Sequence, residues 1–214
     1  RDENGEYTSL LDFLKRNVYK GSKVKKTAVE GLISSGAFDS IESIEEGEEA
    51  KRNDLIVKYR QVMKVKISNK ARDPYTNDNV LSNWFWKVRQ KELTGLSFID
   101  YRSIAEDENL DNNFLTIREI NTRHQYGIFK TFGGYVTQMK VGNTKKGKYA
   151  RLIVENNYKL HKVIIWASEY ENFKDLLKGC EKRIILFSAE LKYDGNYTKG
   201  NQFTFKEESF LKVF

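Results

Sequence analysis

The sequence predicts an α+β chain, an N-terminal helical region followed by a small five-stranded β-barrel. Three observations carry this expectation. Apolar residues recur at helical spacing in the first half of the chain and at a period of two from Tyr135 onward, with the change near Asn112. Charge is uneven: residues 126–214 hold 16 Lys+Arg against 9 Asp+Glu, whereas residues 1–125 hold 21 of each, so the whole excess of +7 lies in the strand-rich part. Residues 125–154 contain no acid, which leaves Lys130, Lys140, Lys145, Lys146, Lys148 and Arg151 unopposed there. Such a β-structure suits an anionic partner. Nucleic acid is preferred to a membrane, because no basic amphipathic helix with a lipid face is present.

Bulk properties narrow the class. The length of 214 residues suits one large or two small domains. No apolar run approaches the ~18 residues of a membrane span, and the polar start Arg1–Gly5 is not a signal peptide. Residue 1 is not Met, so a piece of a longer chain is expected. The single Cys180 excludes an internal disulfide, fits a reducing compartment and reads as a small buried hydrophobe. His124 and His161 have no Cys or His neighbours at ligand spacing, so no metal site is expected.

The elements follow in order. Thr8 is positioned to cap a first helix bearing Leu10, Leu11, Leu14 and Val18. A basic, acid-free stretch from Phe13 to Val29 leads into a second amphipathic helix with Val24, Ala28, Val29, Leu32 and Ile33, and Gly36 stands where a left-handed residue ends it. Asp39–Glu49 carries six acids in eleven residues and reads as a solvated helix face or loop. Leu55, Ile56, Tyr59, Val62 and Met63 share one helical face, and Ser68–Asn79 reads as a loop. Asn83 is a cap candidate for a helix with Trp84, Phe85, Trp86, Val88 and Leu93, stopped by Gly95; its aromatics read as packing. Asp107–Asn113 is a polar linker.

The strands come next. Tyr135, Thr137, Met139 and Val141 fall on one face of a first strand, and Val136, Gln138 and Lys140 on the other. After a loop Gly142–Lys148, Ala150, Leu152 and Val154 alternate with Tyr149, Arg151 and Ile153. Gly142, Gly147 and Lys148 fit most of a P-loop, but Tyr149 stands where Ser or Thr is needed and a strand follows, so nucleotide binding is rejected. Leu160–Trp166 is a third strand, with Trp166 read as core. Ser168–Glu171 has the form of a capping box opening a helix that Gly179 stops. Arg183–Tyr193 and Gln202–Lys206 are the last two strands, joined by a turn at Asp194–Asn196. Three strands, a helix and two strands in about ninety residues suit an oligonucleotide-binding (OB) barrel, a fold that binds single strands on strands 2–3 and the loops 1–2 and 4–5.

The motif Phe132-Gly133-Gly134-Tyr135-Val136-Thr137, followed by Thr144-Lys145-Lys146-Gly147-Lys148, resembles the OB domain of the C-family replicative polymerases, typified by the alpha subunit of bacterial DNA polymerase III. Leu11–Arg16 with Lys26–Ile41 is similar to that family's tandem helix-hairpin-helix region, and Lys91–Leu96 to the end of a helix between them. The three matches keep the family's order and span nearly the whole chain. Two departures stand out. Asn156 and Asn157 follow Glu155, where the family often has an Asp, and no clamp-binding peptide of Gln with an aliphatic–aromatic pair is found.

The resemblance implies a non-catalytic, DNA-binding C-terminal portion of a DNA polymerase, in the cytoplasm of a bacterial or phage-infected cell. It divides the chain into a helix-hairpin-helix region (1–66), a connecting helical segment (67–112) and an OB domain (113–214). No catalytic residue is assigned. The metal-binding carboxylates and their magnesium are implied only for an upstream palm domain. The helix-hairpin-helix is expected to grip duplex phosphates through Lys23, Lys25, Lys26 and Gly36. In the OB part, Lys145, Lys146, Lys148, Arg151 and Lys162 are expected to track a single strand, with Tyr149 and Tyr197 fitting either base stacking or core packing. Each lysine also reads as plain surface charge. The upstream polymerase domains are implied partners; a sliding clamp is not supported. The alternative is a free-standing OB adaptor for RNA or a protein.

Overall fold

The computed structural model describes residues 5–19, 24–66, 75, 81–110, 114–116, 126–194 and 200–214. The chain divides into two compact units, Arg1–Ile99 and Asp100–Phe214. The division falls ahead of the segment read as a linker, and residues before and after position 67 share one core.

The first unit is helical, with α1 (Leu10–Asn17), α2 (Lys26–Ser34), α3 (Arg52–Val62) and α4 (Asn83–Thr94). Leu10, Leu14, Val29, Ile33, Leu55, Ile56, Tyr59 and Trp86 form its buried core. Tyr75, in the stretch read as a loop, is buried too and stacks on Trp86 at 5.6 Å. Two caps shift by one residue. Ser9, not Thr8, accepts from Asp12 N at the start of α1, and Ser82, not Asn83, accepts from Phe85 N at the start of α4. The Asn83 amide instead reaches sideways, accepting from Ala50 N at 2.9 Å and donating to the Gly47 carbonyl.

The acidic stretch is not a plain solvated face. Asp39 holds the buried guanidinium of Arg52 through both oxygens, Nη2–Oδ2 at 2.5 Å and Nε–Oδ1 at 3.1 Å. Glu42 accepts from Leu10 N at 2.6 Å, and buried Glu49 lies 3.6 Å from the buried Lys87 ammonium. Asp39 and Glu49 serve as internal counterions, because the cations of α3 and α4 are taken out of water, while Glu42 satisfies a backbone N–H of α1.

The second unit begins with a helix not expected from the sequence, α5 (Tyr101–Asp107), capped by Asp100. Six strands follow: β1 (Phe129–Thr144), β2 (Gly147–Asn156), β3 (Lys159–Ile165), β4 (Ile184–Asp194), β5 (Gly200–Thr204) and a short β6 (Leu211–Val213). The sheet order β1-β2-β3-β5-β4-β6 closes into a ring because β4 also pairs with β1. The five-stranded ring is the expected barrel, and β6 is an addition at the edge of β4. Helix α6 (Ala167–Leu177) connects β3 to β4 and packs Tyr170, Phe173 and Leu177 on the core. The capping box does not form: α6 starts two residues earlier, with Trp166 as its cap, so Ser168 already lies inside the helix.

Strand β1 carries the main correction. Val136 pairs with Val154 but Gln138 pairs with Ile153, so Thr137 is an extra residue, a β-bulge. A one-residue insertion exchanges the two faces. Val136 therefore joins the core with Met139 behind it, while Thr137 is exposed. Gly133 and Gly134 admit close neighbours: a Cβ at Gly134 would sit 2.1 Å from Val154 Cγ1, and one at Gly133 2.6 Å from Tyr101 Cβ of α5. The Gly133 carbonyl accepts from buried Asn156 Nδ2 at 2.7 Å, a bond that an Asp carboxylate has no proton to make.

Inside the barrel, β3 turns His161 against Phe203, with ring centroids 5.8 Å apart and Nε2 without a partner. Burial, with Lys159 adding to it, pushes the imidazole down to about 4. Between that value and 6.5 the folded protein binds fewer protons here than the unfolded chain. Stability is therefore full above pH 6.5 and is lost as pH falls toward 4. From pH 7 to 4.5 the wild type is expected to lose about 2–3 kcal/mol more than His161→Leu. Urea midpoints of both proteins at the two pH values check this, and equal losses would refute it.

Candidate nucleic-acid interface

The strand register places the candidate residues of the barrel. Residues directly paired across neighbouring strands share a face. Tyr149 of β2 pairs with Gly142 of β1. The next row on this side of the sheet is Lys140, Arg151, Ile164 and Thr204, drawn from β1, β2, β3 and β5; Lys140 and Arg151 reach solvent, whereas Ile164 and Thr204 are covered. The row after it is Gln138, Ile153, Lys162 and Gln202. At about 4.8 Å between strands, each row spans roughly 14 Å. These rows contain no acid.

An aromatic pair stands at one end of this face. Tyr149 covers Gly142, where a Cβ would meet its ring at 2.5 Å. Its ring lies 5.7 Å from that of Trp166, tilted by 33°. Trp166 was expected in the core but is 44% exposed, because β3 ends at Ile165 and the next residue turns outward to start α6. Tyr149 is therefore a half-buried surface aromatic packed between Gly142 and Trp166.

The basic loop is shorter than expected. β1 runs to Thr144 and β2 starts at Gly147, leaving only Lys145 and Lys146 as the turn. Thr144 Oγ1 donates to Gly147 O at 2.9 Å and accepts from Lys146 N at 3.2 Å, and Gly147 takes a positive φ of 128°. The two turn lysines are exposed at the tip. Lys148 alternates with Tyr149 along β2, so it belongs to the opposite face of the hairpin from Tyr149 and Arg151. Tyr197 lies outside the described residues.

In the helical unit, exposed Lys25 is the N-cap residue of α2 and supplies no side-chain cap. Ala28 N in the first turn donates to Lys25 O at 3.0 Å, no side-chain cap is present among the described residues, and the positive end of the helix dipole stands beside a lysine. Lys23 and the side chain of Lys26 lie outside the described residues. Gly36 is at the other end of α2, roughly 13 Å away along the axis. Its N–H donates to Ile33 O at 3.1 Å, and its φ of 82° with the Arg52 guanidinium close above explains why glycine is needed. The structure does not bring Gly36 together with Lys25.

Residues that sequence reasoning missed on the barrel face are Gln138, Lys140, Trp166 and Gln202. Lys140 was visible as an unopposed charge, but its face depends on the Thr137 bulge, for which no residue gives a signal. Buried Cys180, its thiol pushed up to about 11 by burial and by Glu181, donates to Met139 Sδ and plays no part in the face. Among the described residues no helix is long and apolar enough to cross a membrane. No group of three or more His, Cys, Asp or Glu among them is arranged to hold a metal ion.

The helix-hairpin-helix motif matches residues 1–47. The chain is 28% identical over 204 residues to DNA polymerase III subunit alpha of Chlamydia trachomatis, a match covering 86% of this chain and 16% of that protein. It is 23% identical over 217 residues to the same subunit of Aquifex aeolicus, covering 99% and 18%. The chain therefore spans under a fifth of the length of these relatives. Among solved structures, the replication factor A related protein of Methanobacterium thermoautotrophicum overlaps 47% of this chain and 90% of its own, at 20% identity and a TM-score of 0.36. The second OB-fold domain of replication protein A from Methanococcus maripaludis overlaps 46% and 92%, at 12% identity and a TM-score of 0.33. Over most of its length this chain is similar to the alpha subunit of bacterial DNA polymerase III, and it carries a helix-hairpin-helix motif at its N-terminal end.

Proposed function

We propose that this chain is a non-catalytic, DNA-binding portion of a C-family replicative polymerase, acting in the bacterial cytoplasm. Its helix-hairpin-helix grips duplex backbone and its barrel holds single-stranded template. The observation that carries the reading is the two acid-free rows across β1, β2, β3 and β5, where Lys140, Arg151 and Lys162 lie in register beside Tyr149 and Trp166. Cations in rows track a phosphate backbone, and the adjoining rings offer bases a surface to stack on. At the helical unit, the uncapped start of α2 with Lys25 suits a phosphate oxygen. Polymerase carboxylates and their magnesium are assigned to the remainder of such an enzyme.

Salt dependence tests the barrel site. Each lost phosphate contact on a single strand flattens the log–log salt slope by about 0.7. Changing Lys140, Arg151 and Lys162 together to Gln, which keeps the side-chain stems, is expected to reduce the slope by roughly two. The triple Lys145, Lys146 and Lys148 variant is expected to lose less, since Lys148 faces the other way. Fluorescence anisotropy with labelled oligo-dT reads both. An unchanged slope in the Lys140/Arg151/Lys162 variant would remove this face from the DNA site.

A further inference from the structure

The two acid-free rows have a border on their β4 side. The row Lys140–Arg151–Ile164–Thr204 continues onto β4 at Glu190, which pairs with Thr204. The next row continues from Gln202 to Lys192. Glu190 is only 19% exposed and lies 2.9 Å from the Lys206 ammonium and 3.1 Å from that of Lys192. Burial alone would push its carboxyl up, but the ammonium groups of Lys206 and Lys192 beside it hold it below its ordinary value. It is therefore an anion at neutral pH, fixed where a strand crossing from β2 through β5 would run onto β4.

We propose that Glu190 limits the nucleic-acid site: it repels phosphate at the β4 border and holds Lys192 and Lys206 as internal partners, so that the bound strand ends its contacts at β5. This rests on the strand-binding reading given above. A phosphate that reached Lys192 or Lys206 would have to displace a short, partly buried ion pair and approach a carboxylate. Both effects act against extension of the footprint past β5. Neither affects the contacts of Lys140, Arg151 or Lys162 on the other side of the row. The carboxylate therefore sets where the site stops rather than how strongly its centre binds.

Glu190→Gln keeps the shape and removes the charge. Two lysines then become available, and the salt slope for single-stranded DNA is expected to steepen by about 0.7–1.4, one or two added contacts. The shortest oligo-dT that reaches full affinity is expected to lengthen. Asp175→Asn is the control. It removes one charge from a lysine-paired acid near the C-terminal end of α6, 2.7 Å from Lys178, and so changes net charge equally. It is expected to leave slope and minimal length unchanged. The inference is overturned if Glu190→Gln, shown folded by its melting curve, matches the wild type, or if Asp175→Asn steepens the slope as much. Wild-type chain that fails to bind oligo-dT at all overturns the strand-binding reading itself, and this inference with it.

Discussion

Asp39→Ala is expected to destabilise the helical unit by about 3–5 kcal/mol, because it leaves a charge buried without its partner. Arg52 is 2% exposed, and its guanidinium has three acceptors in reach: both Asp39 oxygens and the Ser34 carbonyl at 3.3 Å. Without Asp39 the carbonyl is the one acceptor left among the described residues, and one neutral acceptor does not replace the water that the cation gave up on folding. The pair also fixes the local chain. Gly36 passes so close that a Cβ there would come within 2.6 Å of Arg52 Nη2, and Asp39 N donates back to Gly36 O at 3.1 Å. The reverse change, Arg52→Met, is expected to cost much less. It fills the same volume, and the Asp39 it leaves behind is 24% exposed and can be hydrated. Urea unfolding followed through Trp86, buried in the same core, reads both variants. An Asp39→Ala protein within 1 kcal/mol of wild type, or an Arg52→Met protein that is the worse of the two, would show that the pair does not hold this unit together.

This pair marks how far the sequence could be read. The order of elements was legible because periodicity reports burial directly: Ala150, Leu152 and Val154 alternate in the sequence and are buried in the fold. Gly36 and Gly95 ended their helices with positive φ as glycines in that position do. What was not legible was set by tertiary partners. Asp39 looked like one of six surface acids until Arg52 was brought beside it. Tyr75 sat in a polar stretch, and only Trp86 across the core explains its burial. Thr137 carries no mark of a bulge, yet it decides which residues of β1 face the core. Trp166 ended an apolar run and so read as core, although the strand stops one residue before it. On the candidate face, Arg151, Lys162 and Tyr149 were visible from alternation along β2 and β3. Their companions Lys140 and Gln202 needed the register of β1 and β5, which no local pattern supplies.

The Tyr149→Ala/Trp166→Ala double variant is expected to lose single-strand affinity by less than the sum of the two single changes, each of which removes about 1–3 kcal/mol of base stacking. The rings contact each other at 5.7 Å, so the two single changes should not add, and each alone should cost more than half of the double. The salt slope should barely move, because no phosphate contact is removed. That separates these residues from Lys140, Arg151 and Lys162, whose loss shows in the slope. Stability is a fair test of the competing view that the pair is only packing. Trp166 is 44% exposed and Tyr149 faces outward over Gly142, so the double variant should stay folded with a modest fall in melting temperature. Tyr149→Phe keeps the π face and the cover over Gly142 and should bind as the wild type does. The measurement is anisotropy with labelled oligo-dT at several salt concentrations, with a melting curve for each protein. A folded double variant that retains full affinity would mean that the aromatic pair merely seals the joint between β2 and α6, and that the strand is held by charge alone.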